Sequence, residues 1–215
     1  AVRAFGADVM AMLPFEPNSD QVTMIAAFAH FLARGGDRTV FLLNGYAGTG
    51  KTSVAGAIVR ALTARGQKTV LLAPTGRAAQ VFSEYSGHPA YTIHRKIYRQ
   101  DGYLDSGFSL AENKHTNTVF IVDEASMISN SQGLEGAAFG SGRLLDDLVH
   151  YVYADPASGC RLMLMGDSAQ LPPVGQAESP ALSAQVLSGY GLRVYDIWLT
   201  QIARQAAQSG ILYNA

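Results

Sequence analysis

The sequence has a single cysteine, no excess of positive charge and no long apolar run, and each shortage excludes a class of protein. Cys160 has no partner for a disulfide within the chain. No apolar stretch approaches the roughly 20 residues that cross a bilayer, and no signal-peptide pattern opens the chain, so we expect a cytoplasmic protein without a membrane partner. The formal net charge of -1 excludes a protein that is basic throughout, but not a local nucleic-acid contact.

Apolar runs of strand length recur along the chain. The chain has 215 residues, of which 48% are hydrophobic, enough to bury a full core. The runs lie at residues 39–43, 69–73, 119–122 and 162–165, with a fifth candidate at 192–199. They do not alternate with polar residues, as expected of strands buried on both faces of a parallel sheet. Helical patterns separate most of them, so the sequence predicts an α/β fold with a mostly parallel sheet and helices on both faces.

Helix-capping and helix-breaking residues indicate where the helices between these strands begin and end. A helical pattern over residues 53–65 stops at Gly66, and Ser179 with Pro180 predicts the start of a helix that ends near Gly189. Another helix is predicted from an apolar face that consists of Leu144, Leu145, Leu148, Val149 and Val152.

Two segments interrupt the alternation of strands and helices. Residues 129–142 are mostly small, and we expect them to form a mobile loop. Residues 98–118 are polar and too irregular for a helix, with possible short strands on either side. We expect this second segment to form an inserted hairpin.

The stretch G-Y-A-G-T-G-K-T follows one predicted strand and precedes a helical pattern, which is the context of a phosphate-binding P-loop. Its glycines allow consecutive backbone N–H groups and the helix N-terminus to face the phosphates. Lys51 is expected to reach the β- and γ-phosphates, and the Thr52 hydroxyl to bind Mg²⁺. The alternative is a glycine-rich turn that only joins strand to helix. The residues expected to hold the nucleotide here are Gly45, Ala47, Gly48, Thr49, Gly50, Lys51, Thr52 and Ser53.

A second polar site follows the strand V-F-I-V, which ends in Asp123 and Glu124. The carboxyl edge of a parallel sheet brings these acids beside the phosphate loop. Asp123 is expected to hold Mg²⁺ through water, and Glu124 to orient and deprotonate the attacking water. The pair therefore indicates hydrolysis. The alternative is that both acids are solvated side chains that open a helix.

The strand L-M-L-M repeats this design, because it is followed by G-D-S-A-Q-L-P-P-V-G. Two prolines stiffen the loop, and its amide Gln170 is placed to touch the γ-phosphate and respond to its loss. The residues alone leave an equal alternative, a rigid turn whose glutamine has no role in the site.

Several motifs in order resemble those of superfamily 1 DNA helicases of the RecD and Dda type: G-Y-A-G-T-G-K-T, A-P-T-G-R-A-A, T-I-H-R, V-D-E-A-S, G-D-S-A-Q-L-P-P-V-G and L-T-Q-I-A-R-Q. The resemblance spans residues 21–205. It implies a RecA-like P-loop domain over residues 1–215 that uses ATP with Mg²⁺, and it favours the sensor role for Gln170.

The resemblance also implies roles for residues outside the P-loop. Gln21 resembles the glutamine that reads the adenine edge, although an exposed first-turn residue of a helix from Asp20 is an equal alternative. The first element expected to bind the backbone of single-stranded DNA is Pro74, Thr75, Gly76 and Arg77, of which Thr75 also suits a helix cap. The second is Thr92, His94 and Arg95, although a lone histidine is more often structural.

Two further assignments depend on the resemblance alone. Arg204 resembles the arginine that stabilises the γ-phosphate during transfer. The family pattern has a bulky residue before this arginine, and Ala203 departs from it, which puts the pose of Arg204 in question. Residues 98–118 lie where such helicases insert a pin that splits the duplex, with Phe108 or Tyr103 as the side chain that stacks on the terminal base pair.

Helicases of this type need a second RecA-like domain, and the sequence has no room for one after Arg204. We therefore expect a fragment, since the chain also begins with Ala1 rather than methionine. The fragment would bind MgATP without unwinding, and the whole protein would move along single-stranded DNA, 5′-to-3′, towards duplex junctions. Two other functions stay open: a small P-loop phosphotransferase, and a DNA-binding or regulatory module that ATP controls.

Overall fold

In a computed structural model of the chain, residues 2–100, 102, 107–132 and 139–202 are described. The helices are α1 Val2–Ala11, α2 Ser19–Arg34, α3 Lys51–Ala64, α4 Gly76–Ser86, α5 Ile93–Ile97, α6 Leu144–Tyr153 and α7 Ala184–Gly189. The strands are β1 Thr39–Gly45, β2 Lys68–Ala73, β3 Ala90–Thr92, β4 Tyr98–Gln100, β5 Phe108–Leu110, β6 Thr118–Val122, β7 Arg161–Gly166 and β8 Arg193–Leu199. Short 3₁₀ turns lie at Ala125–Met127, Pro156–Ser158 and Pro180–Leu182. No helix in these described ranges is long and apolar enough to cross a membrane.

Six strands form a parallel sheet in the order β3-β2-β6-β7-β1-β8. The five strands predicted from apolar runs are all present, and the predicted α/β class is confirmed. The sequence missed β3, because this edge strand has only three residues and none of them is fully buried. Without a continuous apolar run, an edge strand has no signal of the kind that identified the others.

The unbroken apolar runs are explained by two cores, one on each face of the sheet. Along β1, Val40 and Leu42 pack with α5, α6 and α7, whereas Phe41 and Leu43 pack with α1, α2 and α3. Successive side chains of a strand point to opposite faces, so both sets must be apolar. The stabilisation from burying each large side chain is about 1.5–3 kcal/mol. The sheet is thereby fixed between two helical layers, and its carboxyl edge stays open.

The predicted start of the last helix, at Ser179, is wrong. Residues Pro180–Leu182 form a 3₁₀ turn, and α7 begins only after Ser183, whose side chain accepts a hydrogen bond from the Val186 N–H at 3.3 Å. Among the described residues, the Ser179 hydroxyl accepts no cap hydrogen bond and instead donates to the Ser126 carbonyl at 3.0 Å. The Ser179 side chain, which the local sequence predicts as a helix cap, therefore makes a tertiary contact instead.

The two irregular segments are partly described. Within residues 98–118, β4 and β5 pair in an antiparallel ladder, so the expected hairpin is present. Its tip at residues 101 and 103–106, including Tyr103, lies outside the described residues. In residues 129–142, the described ends contain no helix or regular strand, and Phe139 forms a single bridge with Phe108. Residues 133–138 lie outside the description, so the expected mobile loop stays a prediction.

Candidate functional site

The loops that follow β1, β6 and β7 meet at the carboxyl edge of the sheet, because these strands are neighbours in it. They enclose a cavity of about 340 Å³. The residues that line it are Ala47, Gly48, Gly50, Lys51, Thr52, Ser53, Val81, Tyr85, Asp123, Glu124, Asp167 and Gln170. Most of the residues predicted for nucleotide binding and hydrolysis are thus brought together around one space.

The backbone of the P-loop takes a shape that its glycines permit. Gly48 and Gly50 have φ angles of 79° and 80°, a region that favours glycine. A Cβ atom on Gly45 would lie 2.8 Å from the Thr49 hydroxyl oxygen. This hydroxyl donates to the Tyr46 carbonyl at 2.8 Å, and α3 then starts at Lys51 without a side-chain cap. The uncapped N–H groups of the first turn are the donors that an anion needs.

Lys51 lies against the loop that it follows. Its ammonium group donates to the carbonyl oxygens of Gly45 at 2.6 Å and Tyr46 at 3.0 Å. Burial lowers the pKa of Lys51, while the nearby carboxylates of Asp167, Asp123 and Glu124 act in the opposite direction. Carbonyl oxygens hold the cation at the cavity wall, where anionic phosphate oxygens are stronger acceptors.

Asp123 and Thr52 provide adjacent oxygen atoms on the cavity wall. The Thr52 hydroxyl lies 3.5 Å from the Asp123 carboxylate, whose other oxygen accepts the Glu124 N–H at 2.8 Å. Burial raises the pKa of Asp123 to about 6, so the carboxylate gains strongly from a nearby cation.

The donor set fits Mg²⁺. Among the described residues there is no group of three or more histidine, cysteine or acidic side chains that could hold a metal ion alone. Mg²⁺ usually keeps several waters and binds one or two protein oxygens together with substrate phosphates. Thr52 and Asp123 would be those protein oxygens, one hydroxyl and one carboxylate.

Glu124 has an unusual backbone conformation. Its φ and ψ angles are 53° and 38°, and in the described part of the chain only Asn117 is another non-glycine residue with positive φ. Such a conformation costs on the order of 1–3 kcal/mol and is often found at functional sites. With this turn, Asp123 and Glu124, the two residues that follow β6, both line the cavity. Glu124 also directly precedes the 3₁₀ turn Ala125–Met127, which is where the alternative of an acid that opens a helix places it, so its catalytic role stays a prediction.

Gln170 is held by a contact that the sequence did not reveal. Its side-chain carbonyl accepts a hydrogen bond at 3.1 Å from the hydroxyl of Ser126, which is fully buried. The Ser126 backbone carbonyl in turn accepts the Ser179 hydroxyl. The loop with Gln170 is therefore tied to the turn that follows Glu124. The contact gives Gln170 a fixed position at the cavity wall, and its role as a γ-phosphate sensor stays a prediction.

Three cavity residues were missed in the sequence. Asp167 is buried and follows β7 directly. The sequence could have indicated it, because it is an acid at the end of a strand next to β6. Val81 and Tyr85 come from α4 and had no signal, because they reach the cavity only when α4 packs against α3. That packing is close: a Cβ atom on Gly56 would lie 2.7 Å from the Tyr85 carbonyl oxygen.

Gln21 is buried, with 1% of its surface exposed, so the alternative of an exposed first-turn residue is wrong. With Asn18 it forms a capping box at the start of α2. Its amide group donates to the Thr49 carbonyl of the P-loop at 2.9 Å. Gln21 therefore supports the P-loop and does not line the cavity, and an adenine contact stays a prediction.

The end of β8 is fastened next to Gln21. One Asp20 carboxylate oxygen accepts from the Thr200 N–H at 2.9 Å, the Thr200 hydroxyl at 3.0 Å and the Gln201 N–H at 3.1 Å. The L-T-Q part of the last motif is thus placed beside the P-loop. Arg204 and Ala203 lie outside the described residues, so the expected γ-phosphate contact stays a prediction.

The first element proposed for the DNA strand lies at the end of β2, next to the nucleotide loops. Thr75 caps α4, as predicted, with its hydroxyl accepting from the Ala78 N–H at 3.2 Å. Gly76 and Arg77 are exposed, and Pro74 and Thr75 are partly exposed. The backbone and the basic side chain at this helix start are accessible to a phosphate.

The second element lies at the end of β3. Thr92 caps α5, and the exposed Arg95 guanidinium lies 5.5 Å from the centre of the Tyr91 ring. His94 is different, because its half-buried ring lies 5.6 Å from the Tyr98 ring and 5.1 Å from the Phe139 ring. Burial lowers the pKa of His94, which favours a neutral ring. The structure favours the structural alternative for His94.

Phe108, the candidate for stacking on a base pair, stacks within the protein. Its ring centre lies 4.6 Å from that of Phe139, with the ring planes inclined by 21°. The stack belongs to the base of the hairpin and occupies one face of the Phe108 ring, so stacking on a base pair stays a prediction.

The AAA domain family matches residues 17–211 of the chain. The chain is 33% identical over 184 residues to the ATP-dependent RecD2 DNA helicase of Deinococcus radiodurans, covering 84% of this chain and 21% of that protein. It is 28% identical over 171 residues to the ATP-dependent DNA helicase dda of Enterobacteria phage T4, covering 77% of this chain and 35% of that protein. The crystal structure of Pif1 helicase from Candida albicans is similar in fold, with a TM-score of 0.55 and 21% identity over 89% of this chain and 41% of that one. The chain thus spans well under half the length of each.

Proposed function

This chain belongs to the AAA domain family and is a domain of the RecD and Dda type of superfamily 1 helicase, and we propose that it is the first of two RecA-like ATPase domains in a DNA helicase. The whole protein would couple ATP hydrolysis to movement along single-stranded DNA, 5′-to-3′, and to duplex unwinding. One observation carries this proposal. Lys51, Glu124 and Gln170, which come from three separate motifs, line one cavity of about 340 Å³.

The side chains around this cavity fit a hydrolysis reaction. Lys51 and the first-turn N–H groups of α3 would hold the triphosphate, and Thr52 with Asp123 would hold Mg²⁺. Mg²⁺ supplies positive charge that neutralises phosphate oxygens during phosphoryl transfer. The Glu124 carboxylate orients the attacking water and accepts its proton. In this proposal the chain would provide an anion site, a metal site and a base.

The proposed strand path lies beside the nucleotide site on the same edge of the sheet. Arg77 follows β2 and Arg95 follows β3, and β2 is next to β6, which leads to Asp123 and Glu124. Basic side chains and helix N-termini along an edge contact phosphates without reading sequence. A translocating protein needs this kind of contact, because it must bind each successive nucleotide alike.

The hydrogen bond between Ser126 and Gln170 could couple the state of the nucleotide to the position of the neighbouring loops. Gln170 lines the nucleotide cavity, and its contact with Ser126 joins the loops after β6 and β7. A change at the γ-phosphate would therefore displace two loops at the edge where a second domain and DNA would bind. One domain alone would bind MgATP but would not move, because translocation needs two domains that close and reopen around the nucleotide.

ATP hydrolysis by the full-length protein, with and without single-stranded DNA, tests the proposal. We expect phosphate release that DNA stimulates and unwinding of duplexes with a 5′ tail rather than a 3′ tail. Transfer of phosphate to an acceptor other than water would indicate a phosphotransferase. Nucleotide-dependent DNA binding without turnover would indicate a regulatory module.

A further inference from the structure

Asp147 is a buried carboxylate outside the nucleotide cavity that accepts hydrogen bonds from the distant strand β4 and from the loop that precedes its own helix. Only 7% of its surface is exposed. One oxygen accepts the Tyr98 hydroxyl at 2.6 Å and the Ser141 N–H at 3.0 Å, and the other accepts the Ser141 hydroxyl at 2.7 Å. A buried carboxylate is costly unless donors of this kind compensate it, so these contacts define its position closely.

These two segments meet at the base of the hairpin. Tyr98 begins β4, and the loop with Ser141 continues from Phe139, whose ring stacks on Phe108 of β5. The Gly140 N–H also donates to the Phe108 carbonyl at 2.7 Å. Asp147 on α6 therefore joins the first strand of the hairpin to the loop that covers its second strand.

The fit around this carboxylate is close. Gly140 has a φ of 51°, and a Cβ atom there would collide with the Asp147 carboxylate and lie 2.6 Å from a Tyr98 ring carbon. Burial and the hydrogen bond to Asp147 raise the pKa of the Tyr98 hydroxyl, so it stays a donor. Ile97, Tyr98, Leu145 and Leu148 belong to one apolar core, which holds the hairpin base against α6.

We propose that Asp147 is a positioning residue for strand separation, because its carboxylate fixes the base of the hairpin to α6 and keeps the hairpin rigid when it meets a duplex. The inference rests on the proposed helicase function and on the pin role of the hairpin. Among the described residues, those that form this anchor, Tyr98, Ser141 and Asp147, do not line the nucleotide cavity. Loosening the anchor therefore reduces unwinding without reducing ATP hydrolysis.

Two substitutions that each remove one hydroxyl test this in the full-length protein. Tyr98→Phe and Ser141→Ala should each lower the rate of duplex unwinding severalfold, while hydrolysis stimulated by single-stranded DNA stays within about twofold of wild type. The matched control is Tyr151→Phe on the same helix. Tyr151 is buried against Phe120, and its hydroxyl has no hydrogen-bond partner among the described residues. This control should change neither rate.

Hydrogen exchange on the 215-residue chain gives a readout that does not depend on helicase activity. Tyr98→Phe should reduce protection of the Gly140 and Ser141 amides by roughly tenfold, as expected for losing a hydrogen bond to a charged group. Unwinding that is unchanged in both variants, or that falls in parallel with hydrolysis, would overturn the inference. A wild-type protein without DNA-stimulated hydrolysis would instead contradict the proposed function, and unchanged amide protection would then refute the anchor separately.

Discussion

The nucleotide cavity and the proposed strand path lie on the same edge of the sheet, but their polar groups are used differently. Around the cavity, contacts join separate loops, as in the pairs Thr52 with Asp123 and Ser126 with Gln170. Along the strand path, Thr75 and Thr92 cap the helices that follow them. Long-range contacts make the cavity a defined three-dimensional site, whereas the strand path is a row of local helix starts with exposed basic groups.

This difference predicts that single substitutions at the cavity have large effects, whereas each substitution along the strand path weakens DNA binding only slightly.

The largest effect is expected for Glu124→Gln, which keeps the shape of the side chain but removes the base. Hydrolysis by the full-length protein should fall by roughly 10²-fold or more, the usual contribution of a general base, while MgATP binding to this chain persists. Near-normal turnover in a phosphate-release assay would refute the assignment of Glu124.

Lys51→Ala should have the next largest effect. The ammonium group would be lost from a wall that faces anionic phosphates, so affinity for an ATP analogue should fall by about 10- to 100-fold, as for lost charged hydrogen bonds. Titration of this chain with a fluorescent analogue in Mg²⁺ measures the change. Lys68→Ala, on β2, is the control and should bind as wild type. Equal affinities for both variants would mean that the loop binds a different ligand.

Asp123→Asn should stabilise the chain when Mg²⁺ and nucleotide are absent. The native pKa of about 6 lies above the ordinary 3.8, so folding favours the protonated acid. Wild-type stability is therefore reduced as pH rises from about 4 to 6, and the cost is complete above pH 7. The asparagine variant avoids this cost, which is roughly 2–3 kcal/mol at neutral pH and vanishes below pH 3.8.

Urea unfolding at pH 3.5 and pH 7.5 measures the effect of Asp123→Asn. The exposed Asp37→Asn provides the control, with no expected gain at either pH. A gain of equal size at both pH values would show that titration of Asp123 is not its cause. Mg²⁺-dependent nucleotide binding should be weakened in the same variant, so stability and function would change in opposite directions.

Arg95→Ala should have the smallest effect. Loss of one phosphate contact should weaken single-stranded DNA binding severalfold and reduce the slope of log affinity against log salt by about 0.7. His94→Gln is the comparison, because its half-buried ring is expected to leave the salt slope unchanged. Binding of the full-length protein to short oligonucleotides at several salt concentrations decides between them. Equal slopes for the Arg95 variant and wild type would mean that Arg95 is a solvated surface charge.

Particular residues show which features of the fold and the site the sequence could predict and which it could not. Buried strands and glycine-rich loops have local signals, so β1, β2, β6, β7 and β8 and the loop between β1 and α3 were predicted correctly, whereas phosphate binding by that loop stays a prediction. Ser126 and Tyr85 were missed because their roles depend on which elements pack together. Ser179 was assigned to a cap, since a local pattern does not reveal the distant carbonyl of Ser126 to which it donates.

Gln21 and Phe108 illustrate a second limit. The resemblance assigned both to ligands, but the structure shows them in contact with Thr49 and Phe139. A motif identifies which residue types are required, but it does not say whether a side chain meets a ligand directly or supports a neighbour that does. Those roles stay predictions.

The strand order has a consequence for how this chain folds during synthesis. The interior strand β1 is made before both of its neighbours, β7 and β8, which follow only after β2 to β6. At a synthesis rate of roughly 5–20 residues per second, on the order of ten seconds pass between the synthesis of β1 and that of both neighbouring strands. Until then the apolar V-F-L-L run has only α1, α2 and α3 to cover one of its faces. A ribosome-bound chain stopped before Arg161 should therefore bind chaperones, and one that extends beyond Leu199 should bind them much less.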